Sequence, residues 1–286
     1  MTPEKLKILE QRFSDYADHY IKRSSYPAPL ILKKEHTMRV CKEIEELFIS
    51  FLQKVKISTL NGHSIPADIN MFPLSSEAVL VARAMALFHD IGRFRQFETY
   101  RTFLDHKSAN HATLSIVEID NHELLNICSK REKSLIKGAI ALHNAAQVPQ
   151  LEDREMLFFI KLLRDADKLD IWRVVINNYT SEETQSRDTV NLGLKDCGSC
   201  STDSLEAILS HTYVNINSIR ELNDLKLMQI SWVFDLNFPH SVQQVKERGY
   251  IEQLTSTLSL SKECKGLNDA LEAVHSYIQK NSAEHY

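Results

Sequence analysis

Seven glycines and seven prolines in 286 residues leave this chain few places to turn sharply. So little turn chemistry favours long periodic segments over many short strands. The apolar residues agree: Val40, Ile44, Leu47, Phe51 and Val55 recur at helical spacing, as do Val79, Ala82, Met85 and Ala86. The expectation is an all-α fold, with helices over about 3–22, 30–56, 132–146 and 153–178 and further helices across 205–278. Ser75 or Ser76 caps a helix that ends in His89, and Ser108 caps one that holds His111. Gly92 reads as the stop after His89. Segments 61–73 and 181–204 read as loops, and 93–107 as an irregular basic and aromatic stretch. Trp232, Phe234, Leu236 and Phe238 give the C-terminal part an apolar anchor. With no clear linker, residues 1–286 read as one bundle-like domain, with a core over about 30–174 and the helices of 205–280 docked on it.

Composition excludes several classes. A 43% hydrophobic and 25% charged chain is ordinary for a globular protein. A net charge of -4 provides no electrostatic footprint for binding a nucleic acid duplex. No apolar run approaches the roughly eighteen residues of a membrane span, and the N-terminus lacks the layout of a secretory signal. Five scattered cysteines, an odd number, fit a reducing cytoplasm better than a disulfide framework. Cys197 and Cys200 form a CxxC in a polar loop, but no second pair follows at a zinc-site spacing. Oligomeric state is left open.

Five helices or helix ends each bring a histidine or aspartate to an otherwise apolar face: His36, the His89-Asp90 pair, His111, His143 and Asp167. A buried imidazole or carboxylate must be paired or coordinated to offset its desolvation. Groups on separate helices can satisfy one another by binding metal at the centre of a bundle. Mixed nitrogen and carboxylate donors suit Fe, Mn, Ni, Co or Zn, with Mg also possible.

These positions resemble the HD-domain superfamily of metal-dependent phosphohydrolases. The likeness rests on His36 in KKEHTMRV, His89 and Asp90 in ALFHDIGRF, and Asp167 in LLRDADKLD. His111 in SANHATLS and His143 in IALHNAAQ stand where the two-metal subset adds two histidines. The resemblance implies that His36, His89, Asp90 and Asp167 hold one ion. His111 and His143 hold the second, and Asp90 bridges the two. The GYP signature of cyclic-di-GMP phosphodiesterases and the Glu-Asp pair of guanosine-tetraphosphate hydrolases are absent, which disfavours both narrower labels.

The expected reaction is hydrolysis of a small phosphomonoester or phosphodiester, such as a nucleotide, by metal-activated hydroxide. Asp90, Arg93 and Lys107 are the expected catalytic residues, and Arg93, Arg101, Lys107 and Lys168 the expected phosphate contacts. Asp170 and Asp105 are candidates to orient a ligand imidazole. Phe94, Phe97, Tyr100 and Phe103 either stack on a base or pack locally. Two alternatives stay open. One is a di-iron oxygenase of the same superfamily, and the other is a sensor that keeps its metal for structure.

Overall fold

The computed structural model describes residues 1–60, 75–181, 191–260 and 264–282, and among them every regular element is helical. The 61–73 loop and residues 182–190 of the 181–204 segment lie outside the described residues. The helices group into two compact units, Met1–Asp170 and Ile171–Tyr286.

In the first unit, α1 (Pro3–Arg23) starts at Thr2, whose side chain accepts from the Lys5 amide, and Pro3 occupies the first turn. Its buried stripe of Leu6, Leu9, Phe13, Ala17 and Tyr20 follows helical spacing. Helix α2 (Ala28–Leu60) packs on α3 (Ser76–Phe88), which also contacts α1 and α6 (Lys130–Leu142). Touched from three sides, α3 is apolar over most of its surface, with Arg83 paired to Glu10 and Glu45 at its margin. Ala82, Ala84 and Ala86 let its neighbours approach closely, while Met85, Leu87 and Phe88 fill the space between them. Helix α4 (Gly92–Tyr100) lies on α5 (His111–Asn121), and α5 packs on α6. The start of α7 (Arg154–Thr180), through Asp170, completes the unit.

Three local expectations change here. The 93–107 stretch is not irregular throughout, because α4 runs to Tyr100 before a short 3-10 turn at Asp105–Lys107. Gly92 does not halt α3 with a left-handed residue. His89 closes α3, and Gly92 begins α4 where the backbone of α5 comes very close. A Cβ added at Gly92 would lie 2.4 Å from the Ser115 nitrogen and 2.7 Å from the His111 carbonyl oxygen. Ser108 does not cap α5 either. Asn110 does, accepting from the Thr113 amide, while the Ser108 hydroxyl donates to the Leu104 carbonyl.

In the second unit, α8 (Thr202–Leu209), α9 (Leu222–Ser231), α10 (Pro239–Glu247), α11 (Tyr250–Ser256) and α12 (Leu267–Asn281) form a smaller helical array. Trp172 is fully buried there. Its indole donates to the Gln229 carbonyl at 2.8 Å, and its ring sits 6.0 Å from both Trp232 and Tyr250. Cys200 is disulfide-bonded to Cys264, and Cys197 is exposed and takes no part in that bond, so the two cysteines of the CxxC are divided. No described helix is long and apolar enough to cross a membrane.

Candidate metal centre

Helix ends deliver most of the site. His89 caps the C-terminus of α3, with Asp90 next to it. His143 caps α6 in the same way, and His111 is the first residue of α5. His36 and Asp167 come from within α2 and α7. His36, His89, Asp90, His111 and His143 are buried, and the Asp167 side chain is 16% exposed.

Every imidazole is held by its Nδ1. His36 Nδ1 lies 2.7 Å from Asp170 Oδ2, and His111 Nδ1 lies 2.7 Å from Asp105 Oδ2. His89 Nδ1 meets the Ala86 carbonyl and His143 Nδ1 the Ile140 carbonyl, each at 2.7 Å. These partners are acceptors, so the ring proton sits on Nδ1 and each Nε2 presents a lone pair. Those lone pairs converge. His36 Nε2 is 3.1 Å from Asp167 Oδ1, and His89 Nε2 is 3.5 Å from the same oxygen. His111 Nε2 is 3.0 Å from His143 Nε2.

Acceptor therefore faces acceptor at the centre. His36 Nε2, His89 Nε2 and Asp167 Oδ1 are buried without a hydrogen-bond partner. Each such atom costs about 1–3 kcal/mol if left so. Either protons or a cation must sit between these groups. Protons are a poor answer for His111 and His143. Burial and then Arg93 push the His111 imidazole down despite Asp105. Burial and the neighbouring rings of His111 and His89 push His143 down to about 3. For that pair a cation is the better fit. Two nitrogens 3.0 Å apart match adjacent ligands at the roughly 2.1 Å bond length of a transition-metal imidazole contact.

Asp90 faces both clusters. Its Oδ2 is 3.7 Å from both His36 Nε2 and His89 Nε2, while its Oδ1 is 3.6 Å from His111 Nε2. Two buried groupings have ligand atoms within 4.8 Å of one another: His36 with His89 and Asp167, and His89 with Asp90 and His143. Burial opposes ionisation of Asp90, but Lys33, His89, Arg93 and His111 hold its carboxyl well below the usual range. Burial likewise opposes ionisation of Asp167, and His36 and His89 hold it well below that range. Asp105 is held down to about 2, against burial, by His111 and Arg93. Asp90, Asp167 and Asp105 are thus held as anions, and the anion is the form a metal needs of a carboxylate ligand.

The remaining expected site residues divide. Arg93 is taken up by protein acceptors: Asp90 Oδ1 at 3.3 Å, Gln96 Oε1 at 2.9 Å, Asp105 Oδ1 at 3.0 Å and the Phe103 carbonyl at 2.5 Å. Arg101, at the C-cap of α4 with φ 57°, is exposed, as is Lys107. Lys168 is half-buried beside Asp167. Phe94 is core and Phe97 nearly so. Tyr100 is exposed, and Phe103 packs against Phe97 with ring centroids 5.0 Å apart.

Sequence reasoning missed several supports. Gln96 is fully buried and donates to Asp105, Ser108 and the Ala109 carbonyl, tying α4 to the start of α5. Ser115 accepts from the Gly92 amide and donates to the His89 carbonyl, at 2.9 and 2.8 Å. Arg164 donates to the His143 and Ala145 carbonyls, capping the end of α6 with a cation. Arg39 grips Asp170 with two nitrogens, at 2.6 and 3.0 Å. Lys33 lies 2.7 Å from Asp90 Oδ2.

A family model described as the HD domain matches residues 34–172, a span that holds all six candidate ligands. Searches of curated proteins and of solved structures each found no match.

Proposed function

The chain belongs to the HD-domain superfamily of metal-dependent phosphohydrolases, and from that premise we propose that it hydrolyses a small phosphoester at a two-metal site. The observation that supports this reading is the set of imidazole Nε2 atoms and carboxylate oxygens facing one another in a buried centre. His36, His89, Asp167 and Asp90 Oδ2 would hold one ion. His111, His143 and Asp90 Oδ1 would hold the other. When bound, divalent ions lower the pKa of water towards about 7 and neutralise the charge that builds up on phosphoryl oxygens.

The chain's own residues prepare that chemistry. Asp170 and Asp105 fix the tautomers of His36 and His111, and backbone carbonyls at the ends of α3 and α6 do the same for His89 and His143. Arg93 spans Asp90 and Asp105 and so holds the shared carboxylate in place between the two clusters. Arg93 is accordingly a positioning residue. The burial of the ligands excludes bulk water, which strengthens every charge interaction inside.

The test is a screen of phosphorylated metabolites against the full chain loaded with Mn, Co, Ni, Zn or Mg. Release of inorganic phosphate with a redox-inert ion supports the proposal. Oxygen consumption by an iron-loaded chain, with no phosphate release under any metal, would instead favour the oxygenase reading. Asp90→Ala should abolish turnover while the helical fold survives. If it only lowers the melting temperature of a chain with no turnover to lose, the metal serves structure.

A further inference from the structure

We propose that Lys33 meets the phosphoryl group of the substrate and tunes the site for a phosphomonoester dianion, an inference that rests on the phosphohydrolase reading above. Lys33 lies one turn before His36 on α2, hence on the same side of that helix. Its ammonium is 2.7 Å from Asp90 Oδ2, the oxygen turned towards His36 and His89. The cation therefore stands beside the first ligand cluster.

Lys33 differs from the other cations around the site in how much of it is committed. Arg93 has four protein acceptors, and Arg39 is closed onto Asp170. An ammonium carries three N–H donors, and the contact with Asp90 takes one of them. The Lys33 side chain is 20% exposed and that of Asp90 is 4% exposed. A ligand arriving from solvent thus reaches the ammonium before the carboxylate. The ring of Phe103, 5.8 Å from Lys33 Nζ and backed by Phe97, limits how far that ammonium swings.

Charge balance argues for a dianion. The carboxylates Asp90, Asp105, Asp167 and Asp170 face Lys33, Arg39 and Arg93. Two divalent ions convert that slight negative balance into a positive surplus. A terminal phosphate, with two negative charges, neutralises more of it than a diester with one.

The experiment uses the full chain, with Mn2+ and inorganic phosphate as probes in calorimetric titrations. Wild type, Lys33→Met and Lys33→Arg are titrated with Mn2+ and then, loaded, with phosphate. Lys33→Gln serves in place of Lys33→Met if the latter does not fold. The expected result is that Lys33→Met still binds Mn2+ but binds phosphate about tenfold more weakly, whereas Lys33→Arg stays within about threefold of wild type. Phosphate affinity unchanged in Lys33→Met overturns the proposal and leaves Lys33 a counterion of Asp90. A wild type that binds no Mn2+ overturns the metal reading itself, and this inference with it.

Discussion

At the scale of single residues, the centre is defined by where four ring protons go. Each imidazole donates its Nδ1–H to an oxygen, which turns its Nε2 towards the centre. Two of those oxygens belong to side chains and can be removed. Asp105→Ala should weaken binding of the ion at His111 and His143, and Asp170→Ala that of the ion at His36, each by about 10–100-fold in a metal titration. A pH effect follows for the metal-free chain. The folded His143 imidazole is held down to about 3, and that of His111 is also lowered, so unfolded histidines near 6.5 bind protons that these two refuse. Their contribution to stability is full above about pH 6.5 and is lost as pH falls towards the folded values. His89 works in the opposite sense. Burial opposes its protonation, but Asp90 and Asp167 raise it, so its contribution is present below about pH 6.5 and fades as pH rises through the folded value. His143, held down to about 3, carries the largest part and sets the sign. Melting in the presence of chelator should show falling stability from pH 7 to 5, and His143→Gln should flatten that slope.

At the scale of elements, the site depends on how closely α4 and α5 approach. Gly92 is where they touch, and any side chain there collides with the backbone of α5. Gly92→Ala should therefore cost about 1–3 kcal/mol in denaturant unfolding. It should also loosen metal binding, because the displaced residues adjoin Asp90 and His111. The glycine was legible in the sequence, but its purpose was not. A turn and a close packing contact both need a missing Cβ, and only the partner helix tells them apart. The six candidate ligands were legible because a histidine or aspartate on an apolar helical face needs a reason to be buried. Their supports were harder to see. Lys33 stands in the run Lys33-Lys34-Glu35, which reads as a solvated face, and Gln96 and Ser115 are polar residues that suit a helix surface equally well. Arg164 carried a visible signal, since it interrupts the apolar start of α7. Arg93 was read as a phosphate contact from its charge, yet its acceptors come from residues 90, 96, 103 and 105, which only the fold gathers.

At the scale of the whole molecule, the matched HD domain occupies residues 34–172, and all six candidate ligands lie within the first compact unit. Metal that binds the folded chain and not the unfolded one should raise the melting temperature. At a hundred times the dissociation constant the gain is about 2.7 kcal/mol per site. The central proposal is that Asp90 would join two ions, one on each of its oxygens. Stoichiometric loading of the metal-free full chain with Mn2+, followed by electron paramagnetic resonance, tests it most directly. The prediction is two ions per chain with the spectrum of a coupled pair, reduced to uncoupled or absent Mn2+ in Asp90→Ala. One ion per chain with an isolated Mn2+ spectrum in the wild type would contradict it.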